Sequence, residues 1–359
     1  MSLDHTVKMF RLQAEACEQL GSPLSAALLH RAAEDIASGG PCATAVTGHE
    51  DAPGPAAVAL RLLGAVHALV LTGRAPALAA HYPSAGGAFD PADPEPARQA
   101  FLATVAAELP FVRTWMTRPP QTNEVGRANL LATGVRWVLG GRDLPVRLFE
   151  LGASAGLNLL ADRFRYESPD FAYGPADSPV VLRGAWRDRP PAWLRGTPPP
   201  LRFTERRGCD PTPIDPCSPE GALALRAYVW ADQLERFARL DGALRLAAAT
   251  PPRVDPVGAA AFLRAVEPAE GTLTVVWHSV MRQYVPAAEW AEVETELERL
   301  AAASTPTAPF ARVALEPGRR EQGHRFLLTV RSGGEPEQVL AEAVPHGLPA
   351  WQPADLTTV

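Results

Sequence analysis

Residues Leu148–Leu160 read LFELGASAGLNLL, and the meaning given to their Gly-Ala-Ser-Ala-Gly centre decides the fold. In one reading Ser154 is the nucleophile of a hydrolase elbow, a sharp strand-to-helix turn spelled G-x-S-x-G. In another, Gly152 and Gly156 let the backbone lie against a ligand, and the next helix offers free N–H groups. A third makes it a turn with neither role. Position favours the ligand loop. An elbow comes after several strands and an H-G-G-G oxyanion segment, whereas everything upstream of Leu148 reads as helix and no such segment precedes it. Glu150 also stands at the strand end, where an elbow usually carries an apolar residue.

Working outward, the first part of the chain is helical. Val7, Phe10, Ala14, Cys17 and Leu20 recur at helical spacing, and Gly21-Ser22-Pro23 restarts a helix with Ser22 as cap. Further helices are expected over Ala56–Gly73, Pro96–Met116 and Glu124–Leu139, the last closed by Gly140-Gly141. From Pro145 the pattern changes. Strands are expected at Pro145–Leu151, Val180–Leu182, Leu201–Glu205, Ala243–Ala249, Leu273–His278 and Ala311–Glu316, with a hairpin of Arg325–Arg331 and Gln338–Val344. Helices are expected between them at Ala155–Phe164, Glu220–Leu240, Pro256–Val266 and Ala287–Ala303. The domain boundary falls at about 140, giving a helical domain over 1–140 and an α/β domain over 141–359.

Composition narrows the function. A net charge of -6 argues against a nucleic-acid surface. Cys209 and Cys217 are too widely spaced for a usual zinc site, so no metal is expected. Met1–Arg11 is polar and unlike a signal peptide, and Arg61 and His67 interrupt the most apolar run. A soluble, cytoplasmic bacterial protein without membrane partners is the expectation; the oligomeric state is left open.

The loop resembles E-x-G-x-G-x-G, with which many methyltransferases hold S-adenosylmethionine, except that Ser154 replaces the middle glycine. The strand–helix alternation ending in a hairpin is similar to a Rossmann-like class I methyltransferase sheet. Glu150, Gly152, Ser154, Gly156 and Asn158 are the cofactor candidates. The acid that grips a ribose normally lies about twenty residues beyond the glycine loop. Here Glu205 and Asp210 are the candidates, much further along.

Several segments together resemble the bacterial family DUF2332: GSPLSAALL from Gly21, QTNEVGR from Gln121, ELGASAGLNLLADRFRY from Glu150 and RRGCDPTPID from Arg206. YVWADQLERFARL from Tyr228, WHSV from Trp277 and HGLPAW from His346 complete the set. The resemblance spans nearly the whole chain and implies at most a methyltransferase-like protein.

Candidate chemistry lies near these motifs. Asn123, Glu124 and Arg127 open a helix, where Asn123 is expected to cap. They also suit a cover over the sheet, with Glu124 as base and Arg127 as anion clamp. His278 comes after an apolar strand, and its near-neutral pKa suits a general base. Ser279 is a substrate candidate, and Tyr284 offers a hydroxyl or a ring. The leading expectation is a methyltransferase using S-adenosylmethionine on a small-molecule substrate. A cofactor-free displacement or elimination, or a non-catalytic ligand-binding protein, is the alternative.

Overall fold

The computed structural model describes residues 3–169, 171–195, 199–320 and 323–353. The chain divides into two compact units, Met1–Thr122 with Ser218–Ala238, and Asn123–Cys217 with Arg239–Val359.

In the first unit every described element is a helix. Leu3–Gln19, Pro23–Ala37 and Val58–Leu71 bury Phe10, Leu29, Leu62 and Leu69 in one core. The polar interruptions of the apolar run are satisfied inside it. Arg61 donates Nε to Ala56 O at 2.8 Å and Nη1 to Met116 O at 2.9 Å. His67 sits between Ala227 O and Ser84 Oγ. No helix among the described residues is long and apolar enough to cross a membrane.

Three helical expectations need correction. The helix read over Pro96–Met116 breaks at Glu108, and Pro110 lies in the first turn of Leu109–Met116. The helix read over Glu220–Leu240 is two, Pro219–Ala227 and Leu234–Ala249. In the break between them, the Asp232 carboxylate accepts Ser22 Oγ at 2.5 Å and Leu24 N at 3.0 Å. Ser22 holds the cap position of Pro23–Ala37, but Asp232 supplies the oxygen. The strand expected at Ala243–Ala249 is the end of the second helix, where alanine and leucine favour helix.

The second unit is mixed α/β. Its strands are β1 (Val146–Leu151), β2 (Arg165–Ser168), β3 (Phe171–Tyr173), β4 (Val181–Arg183), β5 (Phe203–Cys209), β6 (Val254–Asp255), β7 (Leu273–Ser279), β8 (Phe310–Arg320), β9 (Gly323–Ser332), β10 (Gln338–Ala343) and β11 (Ala350–Trp351). A mostly parallel eight-stranded sheet has the order β11-β10-β9-β8-β7-β1-β5-β6. The pairs from β8 to β6 are parallel, and β9, β10 and β11 add antiparallel strands. The proline-rich excursion carries a separate sheet, β3-β2-β4, of which only β4 was expected.

Chain order matters here. From β1 the chain proceeds outward through β5 to β6, then returns to β7 on the other edge of β1. Such a reversal leaves a crevice at the carboxyl ends of the strands, where open α/β sheets bind ligands. Side chains alternate between the faces. Phe149, Leu151 and Val276 form one apolar cluster with Trp290, Val293 and Leu297 of the helix Ala287–Ala302. On the other face, the helix Ala128–Leu139 lies close enough that a Cβ on Gly134 would come 2.5 Å from Val313 Cγ1. Asn123–Leu139, read from sequence with the helical part, therefore belongs to the sheet unit.

Removing the oxygen that closes the helix at Leu24 should be felt throughout the first unit. Asp232→Ala is expected to lower stability by about 1–2 kcal/mol, the usual loss for a cap. Chemical denaturation monitored by helical circular dichroism checks this, and an unchanged midpoint would remove the cap from the account.

Candidate functional site

The Gly152–Gly156 loop leaves β1 at the reversal. Gly152 and Gly156 take φ of 65° and 72°, the left-handed region that glycine adopts without strain. Ser154 between them has φ 55°. The loop leads into a 3-10 helix, Leu157–Arg163, in place of the α-helix expected over Ala155–Phe164.

Neighbouring segments tie the loop by side chain to backbone. Ser154 N donates to Asp210 Oδ2 at 3.0 Å, and Thr212 N donates to Asp210 Oδ1 at 2.9 Å. Ile214 N reaches Ser154 O at 3.2 Å. Leu157 N donates to Asn123 Oδ1 at 2.9 Å, and Asn158 Nδ2 to Glu124 O at 3.3 Å. Asn123 thus caps the 3-10 helix from a distance, while Glu124 Oε1 accepts Gly126 N at 3.0 Å and caps its own turn. Arg127 donates Nη1 to Ser279 O at 3.2 Å and Nε to Pro345 O at 3.0 Å. The C-terminal turn closes on the same place, since a Cβ on Gly347 would meet Arg127 Cα at 2.6 Å.

Glu150 lies in register with Trp277 of β7 and Gly208 of β5. It is 2% exposed. Burial pushes its pKa up to about 8, against the pull of Asn158, Trp277 and Arg127. Glu150 Oε2, Asn158 Oδ1 and Trp277 Nε1 are buried without a partner in hydrogen-bonding geometry. Buried polar atoms are rarely left so, and three in neighbouring side chains are what a small polar ligand or a water would complete.

The structure brings Asn123, Glu124, Arg127, Glu150, Gly152, Ser154, Gly156, Asn158, Asp210 and Ser279 to the carboxyl end of the sheet. Glu205 is elsewhere. It lies towards the start of β5 and pairs with Arg147 at 2.7 Å. His278 stands beside Leu151, on the face opposite Glu150. It is 0% exposed, with Nδ1 at 2.8 Å from Glu316 Oε1, Nε2 at 3.3 Å from Arg312 Nε, and its edge towards Trp290. Burial lowers its pKa, opposed by Glu316. Tyr284 is 56% exposed, and desolvation of the group raises its pKa against the influence of Arg127.

Two further residues at the site escape the sequence reading. Glu316 Oε1 also accepts Met281 N at 3.1 Å, and its place at the end of an apolar strand was the available signal. Met281 lies against the loop, 2.9 Å from where a Cβ on Gly152 would be, and nothing in its sequence context marks it. Val280, just before it, has φ 53°, rare for a β-branched residue. Three of the four non-glycine residues with positive φ, Asn123, Ser154 and Val280, therefore gather here. Strain of this kind concentrates at functional sites. Among the described residues no group of three or more His, Cys, Asp or Glu is placed to hold a metal.

Fold and site together define a mixed α/β protein with a glycine-loop crevice at its strand reversal. The chain belongs to the family described as "Uncharacterized protein conserved in bacteria (DUF2332)", which it matches over residues 7–351. No curated protein matches the chain, and no solved structure does.

The buried acid has a measurable signature. The folded protein keeps the Glu150 proton until about pH 8, whereas an exposed glutamate releases it near 4.5. Its contribution to stability is complete below about 4.5 and is lost as pH rises through about 8. Within that window the unfolding free energy falls by up to about 1.4 kcal/mol per pH unit. Glu150→Gln cannot ionise and should flatten this slope. Denaturant titrations across the neutral range check it, and parallel slopes for the two proteins would refute it.

Proposed function

We propose that the chain is an S-adenosylmethionine-dependent methyltransferase for a small molecule, on a Rossmann-like class I sheet with an N-terminal helical domain. One observation carries the reading: the Gly152–Gly156 loop and the Asp210 carboxylate meet at the carboxyl ends of adjacent parallel strands, beside the reversal. In doubly wound sheets a glycine loop there lies against the cofactor, and an acid ending the next strand holds the ribose hydroxyls. Asp210 ends that next strand, and the β2–β4 excursion explains its distance along the chain.

The residues fit such a ligand in charge and in backbone. Glu150 has an oxygen open to an amino group, Asp210 lies at the loop, and the two glycines present bare backbone. When bound, S-adenosylmethionine supplies an activated methyl group. Glu150 would orient its amino end, Asp210 its ribose, and Glu124 is the candidate to take the proton from the acceptor. His278, engaged at both ring nitrogens, is read as a positioning residue for the turn after β7.

A second reading keeps the crevice but not the methyl donor: a cofactor-free displacement or elimination on a small metabolite, or non-catalytic binding of one. Met281 against Gly152, and the loop N–H groups already bonded to Asn123 and Asp210, favour it.

Calorimetric titration with S-adenosylmethionine and S-adenosylhomocysteine separates the two. Under the first reading the protein binds at micromolar Kd, Asp210→Asn weakens binding by about tenfold, or about 1.4 kcal/mol, and Gly152→Val abolishes it. A folded protein that binds neither compound supports the second reading.

A further inference from the structure

We propose that Ser279–Tyr284 is a strap closed across the glycine loop and latched by Glu316, which must lift before a nucleoside-bearing ligand reaches Gly152. The proposal rests on the loop being a binding site, as read above. The cover is Met281, whose Cβ, Cγ and Cε lie 2.9, 3.3 and 3.4 Å from the Cβ position of Gly152. These atoms fill the space that a glycine at this point of the loop leaves for a ligand. Methionine is unbranched and adaptable, and only half-buried here, so it can vacate the position.

The latch is a single atom. Glu316 Oε1 takes His278 Nδ1 at 2.8 Å, Met281 N at 3.1 Å and Arg282 N at 3.4 Å. His278 is itself locked in the sheet, so it fixes the carboxylate from behind while the two amides hang on it from the strap. Both strap attachments therefore release together when that oxygen is lost. The remaining anchors are Val280 N to Leu315 O at 2.8 Å at one end and Arg282 over the Trp290 ring at 5.3 Å.

The closed form is also strained. Val280, at the point where β7 hands over to the strap, holds φ 53°. A β-branched side chain resists that region, so the closed strap is held against a backbone preference for leaving it. Arg282, Gln283 and Tyr284 are exposed, so lifting them uncovers little apolar surface. A latch working against a strained hinge is an element with two states, and a ligand that binds only the open state shifts the balance between them.

The test uses the full chain with two variants that push in opposite directions. Hydrogen exchange of the 280–284 amides is measured alongside calorimetric titration with S-adenosylhomocysteine. Glu316→Gln weakens the latch: strap exchange should rise about tenfold and affinity should rise by a comparable factor, since apparent affinity scales with the open fraction. Val280→Gly relieves the strain of the closed form, so exchange should slow and affinity should fall. Unchanged strap exchange in both variants overturns the proposal. Shifted exchange with identical affinities in all three proteins overturns the claim that the strap controls access. Shifted exchange with no binding by any protein upholds the strap and rejects the methyl-donor reading instead.

Discussion

Strand β1 is held on both edges by parallel strands, with Glu150 and Leu151 in register with Trp277 and His278 on one side and with Gly208 and Cys209 on the other. The rest of the sheet unit depends on that double pairing. A strand so enclosed cannot turn its polar side chain towards solvent, so Glu150 is buried with its proton. The chain leaving β1 must also turn at once, because strands on both sides end at the same height. The left-handed residues of the loop are the geometric cost of that exit.

Around this exit the protein uses side chains where a longer helix would have used backbone. Asn123, Glu124 and Asp210, from two separate segments, take up N–H groups that a short 3-10 helix and its loop leave over. The family-like segments QTNEVGR, ELGASAGLN, RRGCDPTPID, WHSV and HGLPAW all meet here although they are scattered along the chain. They are motifs of mutual attachment, and the attachment puts an acid, two bare glycines and a set of unsatisfied polar atoms at one point.

Much of this was legible where burial is written as unbroken apolarity. Leu273–His278 and Pro145–Leu151 read as buried strands because parallel strands covered on both faces need no polar alternation. β5 was harder. Its Thr-Glu-Arg-Arg run looks like a surface loop, but Arg206 pairs with Asp162 and Arg207 with Asp255 along its flanks. Those partners lie far away in sequence, so no local pattern announces them. β6 is only Val254–Asp255, too short for any periodicity, and an alanine-rich helix end was read as a strand in its place. At the site, residue types at strand ends were a sufficient guide to Glu150 and Asp210. Which face a side chain takes was not: Glu205 and His278 were chosen by position along the strand, and the pleat and their ion-pair partners decide where they go.

The tie between Ser22 and Asp232 has a consequence for how the protein comes into being. The helical unit is written in two instalments, with the whole of β1 through β5 between them. During synthesis its first helices emerge long before the residue that closes one of them. Contacts that span most of a chain form late, because the intervening loop must be closed before they give anything back. The growing polypeptide therefore carries helices with an apolar core still open while the central strands are being made. Nascent chains halted before residue 232 are the length at which this protein would most need a chaperone.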